Sequence, residues 1–297
     1  MISIIICSRN QTITQALYNN IKETVGIPYE LIIIDNSKNQ YSSLASAYNE
    51  GVRKSQNAIL CFMHDDIVYH TKGWGEIILS HFLEKKVGMI GVAGARYLSD
   101  IPSIWWAGGH KYINRKNGTM CFNSIDTNRE NIRESVDNLV NPENSIATRV
   151  TILDGLWFCV RKEIFEFVHF DDHYYDGFHF YDLDLSMQIN KLNFELRSIF
   201  NIKLEHISAS KHDKNWLDNC FKFYKKWHSD LPISSLRLSF KEKIIIDYES
   251  LRSLYDIHKS NKIPFRIFSN VAISTYRKIL FLYTLYFFSK FKEIFSS

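Results

Sequence analysis

The sequence lacks both glycine-rich signatures by which α/β proteins most often hold nucleotide phosphates. No GxGxxG follows its first apolar run and no GxxxxGK[ST] occurs anywhere. Dinucleotide-dehydrogenase and P-loop readings lose most of their support, and the charge of a bound diphosphate would have to be met some other way. The five cysteines, Cys7, Cys61, Cys121, Cys159 and Cys220, form no CxxC and show no metal-type spacing. Reduced, buried thiols in a cytoplasmic protein are the expectation. The N-terminal run Met1–Cys7 has no positive n-region and is too short for a signal peptide, so it reads as a first strand. General basicity is lacking too: of the formal net charge of +4, residues from Lys262 onward carry +5 and the remainder about −1. Attraction to anionic partners therefore belongs to the C-terminus, and no nucleic-acid-binding body is expected.

What is present is a chain of 297 residues, long enough for one large domain or one domain with an appendage. Ile2 to Ser8 reads as a strand, followed by a helical pattern through Ile13, Leu17, Tyr18 and Ile21. Glu30 to Ser37 is a second buried strand ending in polar residues, Leu44 to Lys54 a helix, and Ala58 to Met63 a third strand. This β-α-β-α-β order with wholly apolar strands predicts a parallel sheet covered on both faces. Ser8, Arg9, Asp35, Asn36, Ser37, His64, Asp65 and Asp66 all fall at carboxyl ends of strands, where such sheets bind ligands. A run of buried residues that empties into His64-Asp65-Asp66 suits a divalent cation, Mg2+ or Mn2+, shared with substrate phosphates; a strand followed by an Asp-rich turn is the plain alternative.

The first strand ending in Ser-Arg-Asn, the second ending in Ile-Asp-Asn-Ser, the helix containing Ala47-Tyr48-Asn49-Glu50-Gly51 and the acidic motif at Asp66 together resemble a GT-A glycosyltransferase of the family 2 type. The His-Asp-Asp form is similar to its StrF-like branch. The resemblance covers roughly residues 1 to 210 and implies an α/β GT-A fold with a mostly parallel central sheet flanked by helices. It implies that Asp35 contacts the base or ribose of a nucleotide-sugar, with Ser8, Arg9, Asn36 and Asp65 along the same binding edge. It implies that Asp66 ligates the metal; His64, standing where the common D-x-D has its first acid, is a metal ligand or a sugar contact. His206, at the end of a late strand, would complete the metal site or contact the diphosphate.

Asp154-Gly155 resembles a step that supports the donor sugar beside the acceptor pocket, with capping of a turn as the alternative role of Asp154. The segment from Asp176 to Ser186 resembles the family's E-D-x-D-L motif ahead of a helix at Met187 to Lys191, with Tyr181 at the first acid and Asp182 at the catalytic base. An inverting transfer needs one such carboxylate to take the proton of the acceptor hydroxyl. Asp184 would be an acceptor contact, a second candidate base or a helix cap, and His179 an acceptor contact. Trp105 and Trp106 offer a platform for a sugar ring, or core filling. Asn114 to Ala147, polar and poorly periodic, reads as a long loop or insertion near the acceptor site.

Residues 1–235 are expected to form the glycosyltransferase domain and 236–297 a helical appendage. In its last helix, about Val271 to Phe295, the uncharged core Ile279 to Ser289 is only 11 residues, too short to span a bilayer. Bracketed by Arg277, Lys278, Lys290 and Lys292, residues 264–297 would lie on an anionic membrane surface, packing on the domain or on a second subunit being the alternative. The expected function is metal-dependent, inverting transfer of a sugar, more often UDP-linked, to a saccharide or lipid-linked saccharide in surface-glycan synthesis. The rival classes are a nucleotidyltransferase and a non-catalytic nucleotide- or sugar-binding module.

Overall fold

The computed structural model describes residues 1–109, 118–128, 134–208, 212–260 and 280. His110 and most of the tail on which the membrane and subunit expectations rest (264–297) lie outside the described residues. The first half of the chain runs β1 (Ile2–Ser8), α1 (Gln15–Thr24), β2 (Tyr29–Asp35), α2 (Leu44–Lys54), β3 (Ile59–Met63), β4 (Ile67–Tyr69), α3 (Trp74–His81), β5 (Val87–Gly91), β6 (Ala93–Ala95) and β7 (Tyr97–Leu98). Then follow β8 (Met120–Asn128), β9 (Ser135–Val140), β10 (Ala147–Val150), β11 (Ile152–Leu153), β12 (Trp157–Arg161), α4 (Tyr181–Lys191), β13 (Glu195–Ile199), β14 (Leu204–Ser208), α5 (Lys214–Lys226), β15 (Ile233–Ser234) and α6 (Phe240–Ser260).

The central sheet has seven strands in the order β10-β13-β5-β12-β3-β1-β2. It is mixed: β2, β1, β3, β5 and β13 run one way, while β12 and β10 run against them. Burial on both faces explains why β1, β3, β5 and β12 read as nearly unbroken apolar runs. Ile4 and Ile6 of β1 and Cys61 and Met63 of β3 pack with Leu17 of α1 and Trp74 of α3. Ile5, Leu60 and Phe62, pointing the other way, pack with Leu44 and Tyr48 of α2 and Leu185 of α4. Each of the buried Ile, Leu, Met and Phe side chains among them contributes roughly 1.5–3 kcal/mol by leaving water. Gly51 lets α2 lie close on β1, since a Cβ there would come within 2.3 Å of Ile5. Asn49 fastens α2 to a distant loop by bonding the main-chain carbonyl and amide of Phe170 at 2.8 and 3.1 Å. Burial pushes the Cys7 thiol up to about 11 and the Cys121 thiol up to about 12, which leaves both inert.

A second sheet, β11-β6-β8-β14-β4 with β9 paired to β8, adjoins the first. The chain passes from the first sheet to the second four times, at β3 to β4, β5 to β6, β10 to β11 and β13 to β14. Polar residues in those crossings therefore gather along one seam. The stretch from Asn114 to Ala147, expected to be a long loop or an insertion, is no mere loop: it supplies β8 and β9. Its signal was faint because β9 is largely exposed on both faces and shows no alternation. After β12 the chain makes a short 3-10 turn, Lys162–Glu166. Helix α6 rests on the loop after β7: Ser99 donates to Asp247 at 2.7 Å, and Gly108 would meet Ile246 if it carried a Cβ.

Candidate active site

Two main-chain ladders hold the His64-Asp65-Asp66 turn. On one side β12 runs antiparallel to β3 with Trp157 opposite Met63, so the residues just before β12 arrive beside those just after β3. The His64 amide donates to the Leu156 carbonyl at 3.1 Å. On the other side β4 pairs antiparallel with β14, His206 opposite Ile67, and the Ile207 amide donates to the Asp66 carbonyl at 3.0 Å.

Three side chains converge there. His206 Nε2 lies 3.3 Å from His64 Nδ1 and 3.3 Å from Asp66 Oδ1, and the donor atoms of all three fall within 4.8 Å of one another. Burial, reinforced by the neighbouring His206, pushes the His64 imidazole below its ordinary value. Burial would also lower His206, but the hydrogen bond and charge of Asp66 outweigh it and hold that ring above its ordinary value. Two imidazoles and one carboxylate at this spacing are a fitting donor set for a divalent transition ion; Mg2+ favours oxygen ligands in an octahedral shell.

Asp182 lies beside this cluster, in the first turn of α4. The sequence placed the helix start at Met187; the structure places it at Tyr181, so the acidic motif is part of the helix. Phe180 just before it adopts φ +66°, a strained left-handed conformation for a bulky residue. Its buried ring is held by Trp216 and Phe223 at 5.3 and 5.6 Å. This turn delivers Tyr181 and Asp182 to the seam. The Gly155 amide donates to Asp182 Oδ2 at 2.6 Å, and the Tyr181 hydroxyl donates to the Gly155 carbonyl at 3.1 Å. Burial first, then the charge of Asp154, raises the Asp182 carboxyl to about 7, against the pull of the amides of α4's first turn and of Gly155. A buried acid poised near neutrality is suited to exchange protons with a bound hydroxyl.

The remaining candidates divide. Ser8 donates to Asp65 Oδ2 at 2.8 Å, and the exposed Arg9 guanidinium lies 5.1 Å from the Phe178 ring centre. Hydrogen bonds from Ser37 hold the Asp35 carboxyl below its ordinary value, so it is an ionised acceptor at the open sheet edge. Asn36 does not face that edge: it is 3% exposed, and its amide binds the main chain of Tyr41 at both ends. Trp105 is not a sugar platform, being 8% exposed, stacked near Phe122 and donating from Nε1 to Asp154 Oδ2 at 2.8 Å. Trp106 is half-buried, with its ring 5.9 Å from that of His212.

Asp184 is neither an acceptor contact nor a cap. It is fully buried and accepts from Tyr175, Trp227 and Gln188, and it pairs with Lys226 at 2.8 Å. That cluster pins α4 to α5. His179 sits on the α5 side, near Asp213 and His212, where burial pushes its ring below the ordinary value. Two residues at the site had no role read for them in the sequence. Tyr181 was visible only as a departure from the family's acid. Asp126, opposite His206 in the β14–β8 ladder, was hidden in the stretch taken for a loop. A groove against α6, lined among others by Ile104, Ala107, His212, Arg252, Asp256 and Ile257, lies beyond Trp106.

The sequence model of the "Glycosyltransferase like family" matches residues 3–227. No curated protein matches the chain. Among solved structures the chain is similar to GalNAc-T7 with UDP, GalNAc and Mn2+, at 11% identity and a TM-score of 0.47, over 71% of this chain and 44% of that one. It is also similar to the mannosyltransferase PcManGT of Pyrobaculum calidifontis in complex with GDP-Man and Mn2+, at 10% identity and a TM-score of 0.44, over 84% of this chain and 64% of that one. The chain thus spans less than two thirds of either.

Proposed function

The chain belongs to the glycosyltransferase-like family, and from that premise we propose that it transfers a sugar with inversion from a nucleotide-sugar to a hydroxyl of a saccharide or lipid-linked saccharide. The observation that carries this reading is the buried Asp182 carboxyl, raised to about 7 and tied through Gly155 to the rim of the His64–Asp66–His206 cluster.

Asp182 acts as the base. It takes the proton of the acceptor hydroxyl as that oxygen bonds to the anomeric carbon, while the bond from that carbon to the diphosphate oxygen breaks on the opposite face and its electron pair leaves with the diphosphate. No carboxylate nucleophile is required. His64, Asp66 and His206 would hold a divalent cation, Mn2+ by the nitrogen content of the set, and such an ion supplies positive charge to the departing diphosphate. Asp35 accepts from the ribose or base, and Ser8, through Asp65, orders the floor of the same edge. Asp154 supports the donor sugar while Trp105 keeps its carboxylate in place. We assign the acceptor to the α6 groove beyond Trp106. The His64-Asp65-Asp66 triplet supports the StrF-like branch, and a UDP-linked donor for surface-glycan synthesis remains our preferred substrate class. Residues 236–297 form the appendage, whose cationic 264–297 segment brings the enzyme to an anionic membrane face; among the described residues no helix is long and apolar enough to cross a membrane.

The test is Asp182→Asn. We expect nucleotide-sugar binding within about twofold of wild type and transfer slowed by about 100- to 10,000-fold, the usual share of general-base catalysis. Unchanged turnover would remove Asp182 from this role.

A further inference from the structure

The Tyr181 hydroxyl lies 3.3 Å from His64 Nε2 and 3.1 Å from the Gly155 carbonyl oxygen. We propose that Tyr181 is a positioning residue that fixes the tautomer of His64, so that Nδ1 presents its lone pair to the cation. The proposal rests on the metal reading above.

A phenol has one proton and a carbonyl can only accept. With that proton directed to Gly155, the contact between Tyr181 and His64 requires His64 Nε2–H as the donor. A neutral imidazole carries one proton, so Nδ1 is then bare. This is the nitrogen that faces His206 Nε2 at 3.3 Å and shares the cluster with Asp66. The opposite tautomer would turn an N–H into the cluster and block the ligand position.

The arrangement is built in and does not depend on a mobile side chain. The Tyr181 ring is buried, with the Tyr48 and Phe170 rings at 5.6 and 6.1 Å. Its hydroxyl fits only because residue 155 is glycine: a Cβ there would stand 2.0 Å from that oxygen. Ligating histidines as a rule donate their second ring nitrogen to a fixed acceptor, and loss of that acceptor weakens metal binding by about 10- to 100-fold. An acid at position 181 would bring a second negative charge to the cluster, whereas a tyrosine orients the ring without one.

The decisive measurement uses the full chain without metal. Ring 15N NMR, with the His64 signals identified by their loss in His64→Gln, should show a protonated Nε2 and an unprotonated Nδ1. A protonated Nδ1 in the wild type overturns the proposal outright, with no variant needed. Tyr181→Phe keeps the ring and removes the hydroxyl. It should mix the two tautomers and weaken Mn2+ binding, read as free Mn2+ by EPR without nucleotide, by about tenfold or more, with the thermal midpoint close to wild type. Equal Mn2+ affinity and an unchanged tautomer would overturn it. If the wild type itself binds no Mn2+, the metal reading fails, while the ring spectrum still decides the role of Tyr181.

Discussion

His206 Nε2 sits 3.3 Å from His64 Nδ1 and 3.3 Å from Asp66 Oδ1. One nitrogen thus answers to a ring that burial keeps neutral and to a carboxylate that favours its protonation. A divalent ion would replace that proton with a charge that all three groups accept.

Mn2+ should accordingly bind more tightly than Mg2+, by at least about tenfold given the two imidazole donors. Asp66→Ala and His206→Ala should each abolish the Mn2+ dependence of nucleoside diphosphate binding in calorimetry. Dependence retained in both variants would move the cation elsewhere.

The transfer rate should rise with pH as Asp182 loses its proton near 7 and level off above it, a limb that Asp182→Asn should flatten. The stability effect has the opposite sign. Because folding raises this carboxyl from 3.8 to about 7, its contribution is full below 3.8 and is lost as pH climbs through 7. Asp182→Asn should therefore melt above wild type at pH 8, with the gap closing towards pH 4. Identical melting profiles across that range would argue that the carboxyl is not raised.

Asp184→Ala should damage the fold. It strips a fully buried carboxylate from Lys226 and from three neutral donors, and breaking a buried pair costs about 3–5 kcal/mol. Chemical denaturation measures this. A variant of wild-type stability with transfer abolished would put Asp184 in the chemistry after all.

Arg252 is exposed on the groove wall. Arg252→Ala should raise the acceptor KM by about threefold or more, the loss of one exposed polar contact of about 0.7 kcal/mol, and leave the donor KM unchanged. A change confined to the donor KM would separate the groove from the acceptor.

Truncation after Lys262 removes a net +4. It should abolish sedimentation with phosphatidylglycerol vesicles and leave the catalytic domain folded, since anionic surfaces hold such segments by about 1 kcal/mol per basic residue. Binding that persists would locate the contact in the domain.

The βαβ half was legible because its code is local. The boundaries of α2, read as Leu44 to Lys54, agree with the structure at both ends, since Ser43 caps the start and Ser55 opens the exit. The antiparallel β12, wedged between β3 and β5, was not legible as such: periodicity reports burial but not direction. The site divides in the same way. Residues that end a strand, such as Asp66 and Asp35, could be picked out from position alone. The inward turn of Asp184, Trp105 and Asn36 depends on partners far along the chain, Lys226 for Asp184 and Asp154 for Trp105, or on a side chain folding back onto its own turn, as in Asn36.

His64 and His206 are separated by 142 positions in the chain. A ribosome releases the N-terminal half, with its short-range β1–β2 and β1–β3 ladders, long before β14 exists to close the cluster. During synthesis the growing polypeptide could not use an ion at this cluster as a folding aid. A cation held there would load late, and any stability it added, which requires the assembled native state, would come only after the sheet seam has closed.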